Sequence, residues 1–304
     1  SIQVWYGPND SNNVAPPHEN FAVSCYVDIN SVNPSGGTPV DLRTGIKSES
    51  VVDLGLNTPA SELVFHRSYR QDKLTEADFP QVMGLGWMHN HNIYLDDKSS
   101  AENMIYAYLQ DGGRGHFEEE TSTLYRAMAG GTSTITIDAG STEARYTLDA
   151  TDQTFVFDSN GELQKRTWSN GEEWTYSSYE SPHVADGKLK EVDDSYGRKL
   201  QFSYINNSGQ FDHLQLWRVG DQDATGLDGS SPVGRYVEFS YVESALNGSA
   251  TSNGPLLQTV RDVRGETWTY DWYGQDIGET DGSKLATASS LTQRGCGWRW
   301  QSRW

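Results

Sequence analysis

Three groups of residues have the types and spacing that chemistry uses. Asp221-Gln222-Asp223-Ala224-Thr225-Gly226-Leu227-Asp228 follows the D-x-D-x-T-G start of a calcium loop, with hard oxygens at alternate positions and a glycine for the sharp turn. Asp221, Asp223, Thr225 and Asp228 are its candidate ligands, and calcium is the one cofactor the sequence suggests. The twelfth position, a bidentate Glu in a complete loop, is Pro232, and the same Asp, Gly and Ser composition also makes an ordinary solvated turn. His89 and His91 stand at i and i+2, on one face of a strand. They could share a metal only with further ligands, and none is specified nearby, so packing is the favoured role and zinc is not predicted. Glu118-Glu119-Glu120 and Asp193-Asp194 supply the adjacent acids from which a glycosidase pair is drawn. In a chain with 42 acids such neighbours arise without catalytic purpose. No G-x-S-x-G, H-E-x-x-H or G-x-x-x-x-G-K-[ST] motif is present, and no enzymatic activity is expected.

Composition narrows the function further. The 304 residues carry 23 Lys and Arg against 42 Asp and Glu, a net charge of −19. That field repels phosphate, and a nucleic-acid partner is excluded because such binding draws on Lys and Arg neutralising the backbone. No window approaches the roughly 18 apolar residues of a membrane-spanning helix. Aliphatics are sparse, yet 10 Trp, 16 Tyr and 9 Phe, each burying about 150–250 Å², suffice for a core. The N-terminal Ser1-Ile2-Gln3-Val4-Trp5 shows neither a basic n-region nor an apolar h-region, so any export signal was removed or never included. Cys25 and Cys296 form no zinc or disulfide pattern and are expected to be free thiols.

The elements that must position these residues are strands. Thr134-Ile135-Thr136-Ile137 and Thr154-Phe155-Val156-Phe157 alternate with period two. One short helix is expected around Lys73 to Phe79, ended by Pro80. Reading forward from Gly171, Gly197, Gly234 and Gly265, the third residue is Trp174, Leu200, Val237 or Trp268, and the fifth is Tyr176, Phe202, Phe239 or Tyr270. Thr175, Gln201, Glu238 and Thr269 lie between them, so each copy reads as a half-buried strand. A partner strand precedes each of three copies, opened by its own glycine at Gly161, Gly187 or Gly254, so the repeating unit is a β-hairpin. Successive second glycines are 26, 37 and 31 residues apart, the long interval holding a polar insertion from Gly220 to Gly234. Gly295 starts a further copy, with Trp298 and Trp300 in the two core places, inside a C-terminal stretch that has Lys284, Arg294, Arg299 and Arg303 and no acid. Trp298, Trp300 and Trp304 are therefore expected to be exposed and to meet more protein.

These hairpins, Phe157-Asp158-Ser159-Asn160-Gly161-Glu162-Leu163 followed by Asn170-Gly171-Glu172-Glu173-Trp174-Thr175-Tyr176, resemble the YD repeats of Rhs proteins. Upstream, Thr38-Pro39-Val40-Asp41-Leu42-Arg43-Thr44-Gly45, Phe65-His66-Arg67-Ser68-Tyr69 and Gly84-Leu85-Gly86-Trp87-Met88-His89 resemble, in that order, the segment that opens an Rhs core. The resemblance covers about residues 38 to 300. It implies a β-sheet spiralling into a hollow shell, as in bacterial Rhs effectors, the shells of insecticidal toxin complexes and teneurins, around a C-terminal toxic or signalling segment. The Asp-Pro-x-Gly-Leu self-cleavage motif that ends such cores is not found here, so neither protease nor toxin is carried over.

The expected fold class is therefore all-β, with repeated hairpins forming a curved or spiralling sheet. Residues 1–37 are unassigned, 38–140 form the opening region, and 141–304 hold the hairpin repeats and stop inside one. The expected function is a non-catalytic scaffold that encloses or displays a polypeptide cargo, secreted or at the cell surface. Its partner would be the remainder of a longer polypeptide or a shell-closing protein. A secreted carbohydrate-binding adhesin that uses exposed Trp is the alternative.

Overall fold

The structure, a computed structural model, describes residues 47–57, 62–74, 82–110, 112–128, 131–143, 145–150, 152–206, 214–243, 254–272 and 285–290. The segment 1–37, both cysteines, and Trp298, Trp300 and Trp304 lie outside them. Strands β1 (Ser48–Asn57), β2 (Glu62–Arg70) and β3 (Trp87–His89) form a small antiparallel sheet in that order. A 3-10 turn at Gln71–Lys73 follows β2, and residues 75–79 of the helix expected around Lys73 to Phe79 lie outside the described residues.

A second sheet follows, with 16 strands among the described residues, each hydrogen-bonded to its neighbour in sequence. It begins with β4 (Tyr94–Lys98), a one-turn helix α1 (Ser99–Glu102) and β5 (Met104–Tyr108). Then come β6 (Arg114–Thr121), β7 (Leu124–Ala127), β8 (Thr134–Ile137), β9 (Tyr146–Ala150) and β10 (Gln153–Phe157). The repeat strands are β11 (Leu163–Trp168), β12 (Glu173–Ser178), β13 (Leu189–Asp194), β14 (Lys199–Ile205), β15 (Gln215–Asp221), β16 (Tyr236–Glu243), β17 (Pro255–Arg261), β18 (Thr267–Trp272) and β19 (Leu285–Ser290). The fold is all-β, and the sheet passes from β8 into β9 across residue 140 without a change of partner order. Sequence reading missed α1. Asp97 starts it by accepting the Ser99 N–H at 2.8 Å, and Asn103 ends it in the left-handed region at φ 55°.

Four of the turns share one chemistry. In the loops at Ser159-Asn160-Gly161, Ser169-Asn170-Gly171, Ser195-Tyr196-Gly197 and Val263-Arg264-Gly265, the glycine N–H bonds the carbonyl three residues back and φ lies between 79° and 85°. This is a type I turn completed by a left-handed residue, a standard three-residue hairpin closure. Asp158, Asp194 and Asp262 each add a carboxylate oxygen that accepts two backbone N–H groups of their own turn, at 2.8–2.9 Å.

Curvature has an equally regular source. The register slips by one residue between Val156 and Phe157, Ser177 and Ser178, Ser203 and Tyr204, Ser240 and Tyr241, and Asp271 and Trp272. The last four slips fall at the same place in each repeat. Opposite the slips, Gln164, Lys190, Trp217, Gln258 and Ala286 are the unpaired extra residues. The first four are at least partly exposed, so the surplus residue goes to the outer face and bends the strand, as a β-bulge does.

The sheet also folds back on itself. At its first strand, Leu95 N–H donates to the Gly161 carbonyl at 2.9 Å, and Tyr94 bridges Glu162. Strands β4 to β10 are thereby rolled up round Leu95, Ile105, Phe117, Ile135, Leu148 and Phe157, all buried.

Candidate functional site

The residues in the third and fifth places of the repeats form one apolar face, on which the small sheet is seated. Trp174, Tyr176, Leu200, Phe202, Val237, Phe239 and Tyr270 are buried, and Trp268 is partly buried against the same core. Phe65 of β2 lies 6.0 Å from Phe202 and 5.8 Å from Phe239, ring centre to ring centre. Alternate residues from β3 onward then address different hairpins. Trp87 meets Tyr270 at 5.2 Å, His89 meets Phe202 at 5.6 Å, and His91 meets Trp174 and Tyr176 at 5.7 and 6.0 Å. The small sheet thus runs across the hairpins and ties four of them together. Two backbone bonds reinforce it, Leu85 N–H to Pro255 O at 2.8 Å and Leu216 N–H to Val82 O at 2.7 Å.

The two histidines belong to this packing. Their rings are 6.5 Å apart and both are buried. His91 Nε2 donates to the Val64 carbonyl at 2.7 Å, which leaves Nδ1 as a buried lone pair without a hydrogen-bond partner among the described residues. Burial pushes the His91 ring down to about 3 and holds His89 well below the usual imidazole value. No group of three or more His, Cys, Asp or Glu able to hold a metal occurs among the described residues.

One charge sits deep in the seal. Along β2 the buried face reads Leu63, Phe65, Arg67, Tyr69, an arginine where the alternation calls for an apolar residue. Its partner, Asp53, is the extra residue of a bulge between Val52 and Leu54, and the bulge turns its carboxylate inward. Arg67 Nε donates to Asp53 at 2.6 Å, with the two side chains 2% and 5% exposed. The guanidinium also donates to the Tyr270 hydroxyl and lies 4.8 Å over the Trp87 ring. Burial alone would lower the Arg67 pKa, but the Asp53 carboxylate, the Tyr270 hydroxyl and Glu49 together outweigh it and hold the group above its usual value. Glu49 receives the Tyr270 O–H at 3.3 Å, and burial raises its pKa more than Arg67 and Lys47 lower it. Sequence reading named Tyr270 as core and missed Arg67 and Asp53. The signal was present as a cation on the apolar face of an alternating strand.

Beside the seal runs a groove of about 340 Å³, between the Glu62 end of β2 and the β11–β12 hairpin. Arg166 lies 4.4 Å over Trp168 and 5.5 Å over Trp174, with Nε held by Gln153 at 2.7 Å. Trp168 stands edge-on to Trp174 at 4.5 Å, and Trp174 Nε1 donates to Glu172 at 3.2 Å. Glu62, His66, Asn90 and Gln110 complete the wall. Asn90 continues the β-ladder in place of a strand, pairing its side chain with His66 N–H and Val64 O at 2.9 and 3.0 Å.

The loop that contains residues 221–228 is reached by a cation of the protein, Arg218. Its Nη1 donates to the carbonyls of Leu227 and Gly229 at 2.8 and 2.6 Å, and its Nε to Glu238 at 2.5 Å. Asp221 is buried, accepts the Asp223 N–H at 3.1 Å and pairs with Arg235 at 3.5 Å. Thr225 bridges Val233 through its backbone, and Asp223 and Asp228 are exposed. The four candidate ligands are close in sequence, but Asp221 faces Arg235 and its own turn.

Residues 37–117 match a family described as a domain of unknown function, DUF6531. No curated protein matches the sequence. Among solved structures, the chain is similar to TcdB2-TccC3, with 14% identity, a TM-score of 0.46, and 79% of this chain and 17% of that one covered. It is also similar to the Photorhabdus luminescens Tc holotoxin pore, with 13% identity, a TM-score of 0.44, and 85% and 16% covered. For the N-terminal domain of the effector SpvB from Salmonella typhimurium the identity is 13%, the TM-score 0.33, and the coverage 80% and 100%. The chain spans about a sixth of the length of the toxin-complex chains it matches.

Proposed function

We propose that this chain is wall material: a non-catalytic scaffold segment of the Rhs/YD-repeat kind, working outside the cell or at its surface, that encloses or displays a polypeptide made in the same gene product. The observation that carries this reading is the strict sequence order of the large sheet. Each hairpin adds to the edge left by the one before, and a bulge at the same place in each repeat gives each addition the same bend. A sheet made this way lengthens by repetition without disturbing what is already folded. The small sheet, pinned across four hairpins, holds the curvature at one place. In this reading its partner is more of the same polypeptide or a protein that closes the shell.

The test has two parts. The intact mass of the native gene product is expected to exceed 33.9 kDa by a large margin. Native protease digestion of that product is then expected to spare a segment that is degraded when expressed alone. A native product of this mass, or digestion of the downstream segment at the same rate in both settings, refutes the proposal.

A further inference from the structure

We infer that the groove between β2 and the β11–β12 hairpin is a binding site for a neutral saccharide. The inference stands on the groove itself and is independent of the scaffold reading. Its walls combine a partly buried indole, Trp168, with hydrogen-bonding side chains of both kinds, Glu62, Glu172, Gln110 and Arg166. The volume, about 340 Å³, falls at the small end of ligand clefts.

Electrostatics and desolvation select the ligand class. Two carboxylates and one guanidinium line the groove, on a chain of net charge −19, so an anion is disfavoured. A cation would have to enter beside Arg166, whose positive charge already lies over three rings, Phe155, Trp168 and Trp174. A purely apolar ligand would strip water from the carboxylates and return no hydrogen bond. A pyranose satisfies all three conditions. It is uncharged, its hydroxyls both donate and accept, and its C–H face lies flat on an indole. The site is also held ready before a ligand arrives. Glu172 is fixed by Trp174 Nε1, Trp168 by the Trp174 edge, and Arg166 by Gln153, so little side-chain entropy is lost on binding.

The full 304-residue chain on an array of neutral and anionic glycans tests this, followed by calorimetric titration of the strongest neutral binder as free oligosaccharide. Saturable binding is expected with a Kd of about 10 μM to 1 mM. Trp168→Ala is expected to weaken it at least about tenfold. Glu62→Gln and Gln110→Ala, at exposed positions, should each weaken it about threefold, the worth of one hydrogen bond, with thermal unfolding unchanged. These two keep the test decisive if Trp168→Ala fails to fold. Failure of every neutral glycan to bind, preference for sialylated or sulfated glycans, or affinity unchanged in both Glu62→Gln and Gln110→Ala overturns the inference. So does an extended peptide adding to β2 at Glu62–Val64 in place of any sugar.

Discussion

Replacing Gly161 by alanine and, separately, Gly171 by alanine places the same methyl group on the same kind of turn at two points that differ in what stands opposite the added carbon. Both glycines have φ near 80°, at 79° and 85°, and both turns close with the same backbone bonds. An L-residue there costs roughly 1–2 kcal/mol in either case. A Cβ at Gly171 meets nothing within 4 Å, whereas one at Gly161 overlaps the Leu95 carbonyl of β4. Overpacking of that kind adds about 1–3 kcal/mol, and displacing the Leu95 N–H from the Gly161 carbonyl costs about 1 kcal/mol more. Gly171→Ala is therefore expected to destabilise by about 1–2 kcal/mol and Gly161→Ala by about 3–6 kcal/mol. Urea unfolding of the two variants side by side measures the difference, and the shared backbone strain cancels in the comparison. Amide exchange supplies a local readout, since Leu95 should lose protection in Gly161→Ala alone. Equal unfolding free energies within about 0.5 kcal/mol, the usual scatter of neutral substitutions, or Leu95 protection kept in both, would refute the account of how β4 to β10 roll up.

Two further outcomes follow from the seal. Arg67→Met leaves Asp53 buried without its cation and should cost about 3–5 kcal/mol, while Asp53→Asn added to it should recover a substantial part; chemical denaturation of both variants checks this, and no recovery would mean that Arg67 acts through its ring contacts rather than its charge. His91 gives the pH dependence: its folded pKa, about 3, lies below the usual 6.5, so its contribution is complete above pH 6.5 and is lost as pH falls towards 3. At pH 4.5 the loss is about 2–3 kcal/mol, and His91→Phe should flatten the acid limb of stability against pH by about that amount, whereas an unchanged limb would assign it to other groups.

What the sequence disclosed and what it withheld divide along a physical line. The hairpins were readable because their determinants are local: alternation with period two, and a glycine wherever φ must be positive. The burial of seven of the eight described residues in the third and fifth places followed from the same pattern. What lies opposite those rings did not, because Phe65, Trp87, His89 and His91 are more than 80 residues from the rings they touch and no short-range rule links them. The groove was hidden for the same reason, since Glu62 and Arg166 meet only once the small sheet is seated. At Asp221 the ambiguity was chemical: alternating oxygens suit an Asx turn as well as a metal, and spacing cannot reveal that Arg218, on the preceding strand, bonds the Leu227 and Gly229 carbonyls of the same loop.

The pairing of Arg67 with Tyr270, 203 residues later, sets an order of events during synthesis. Each strand of the large sheet can zip onto the one before it as it leaves the ribosome, so most pairings are rapid and local. The small sheet is made first and its face is covered hairpin by hairpin, so that the Trp87 and Arg67 end of the face lacks Tyr270 until the fourth hairpin is complete. At about 5–20 residues per second, that end waits for roughly 10 to 40 seconds. The nascent chain is thus exposed to misassembly through the small sheet, and a chaperone acting on it would be expected to bind there.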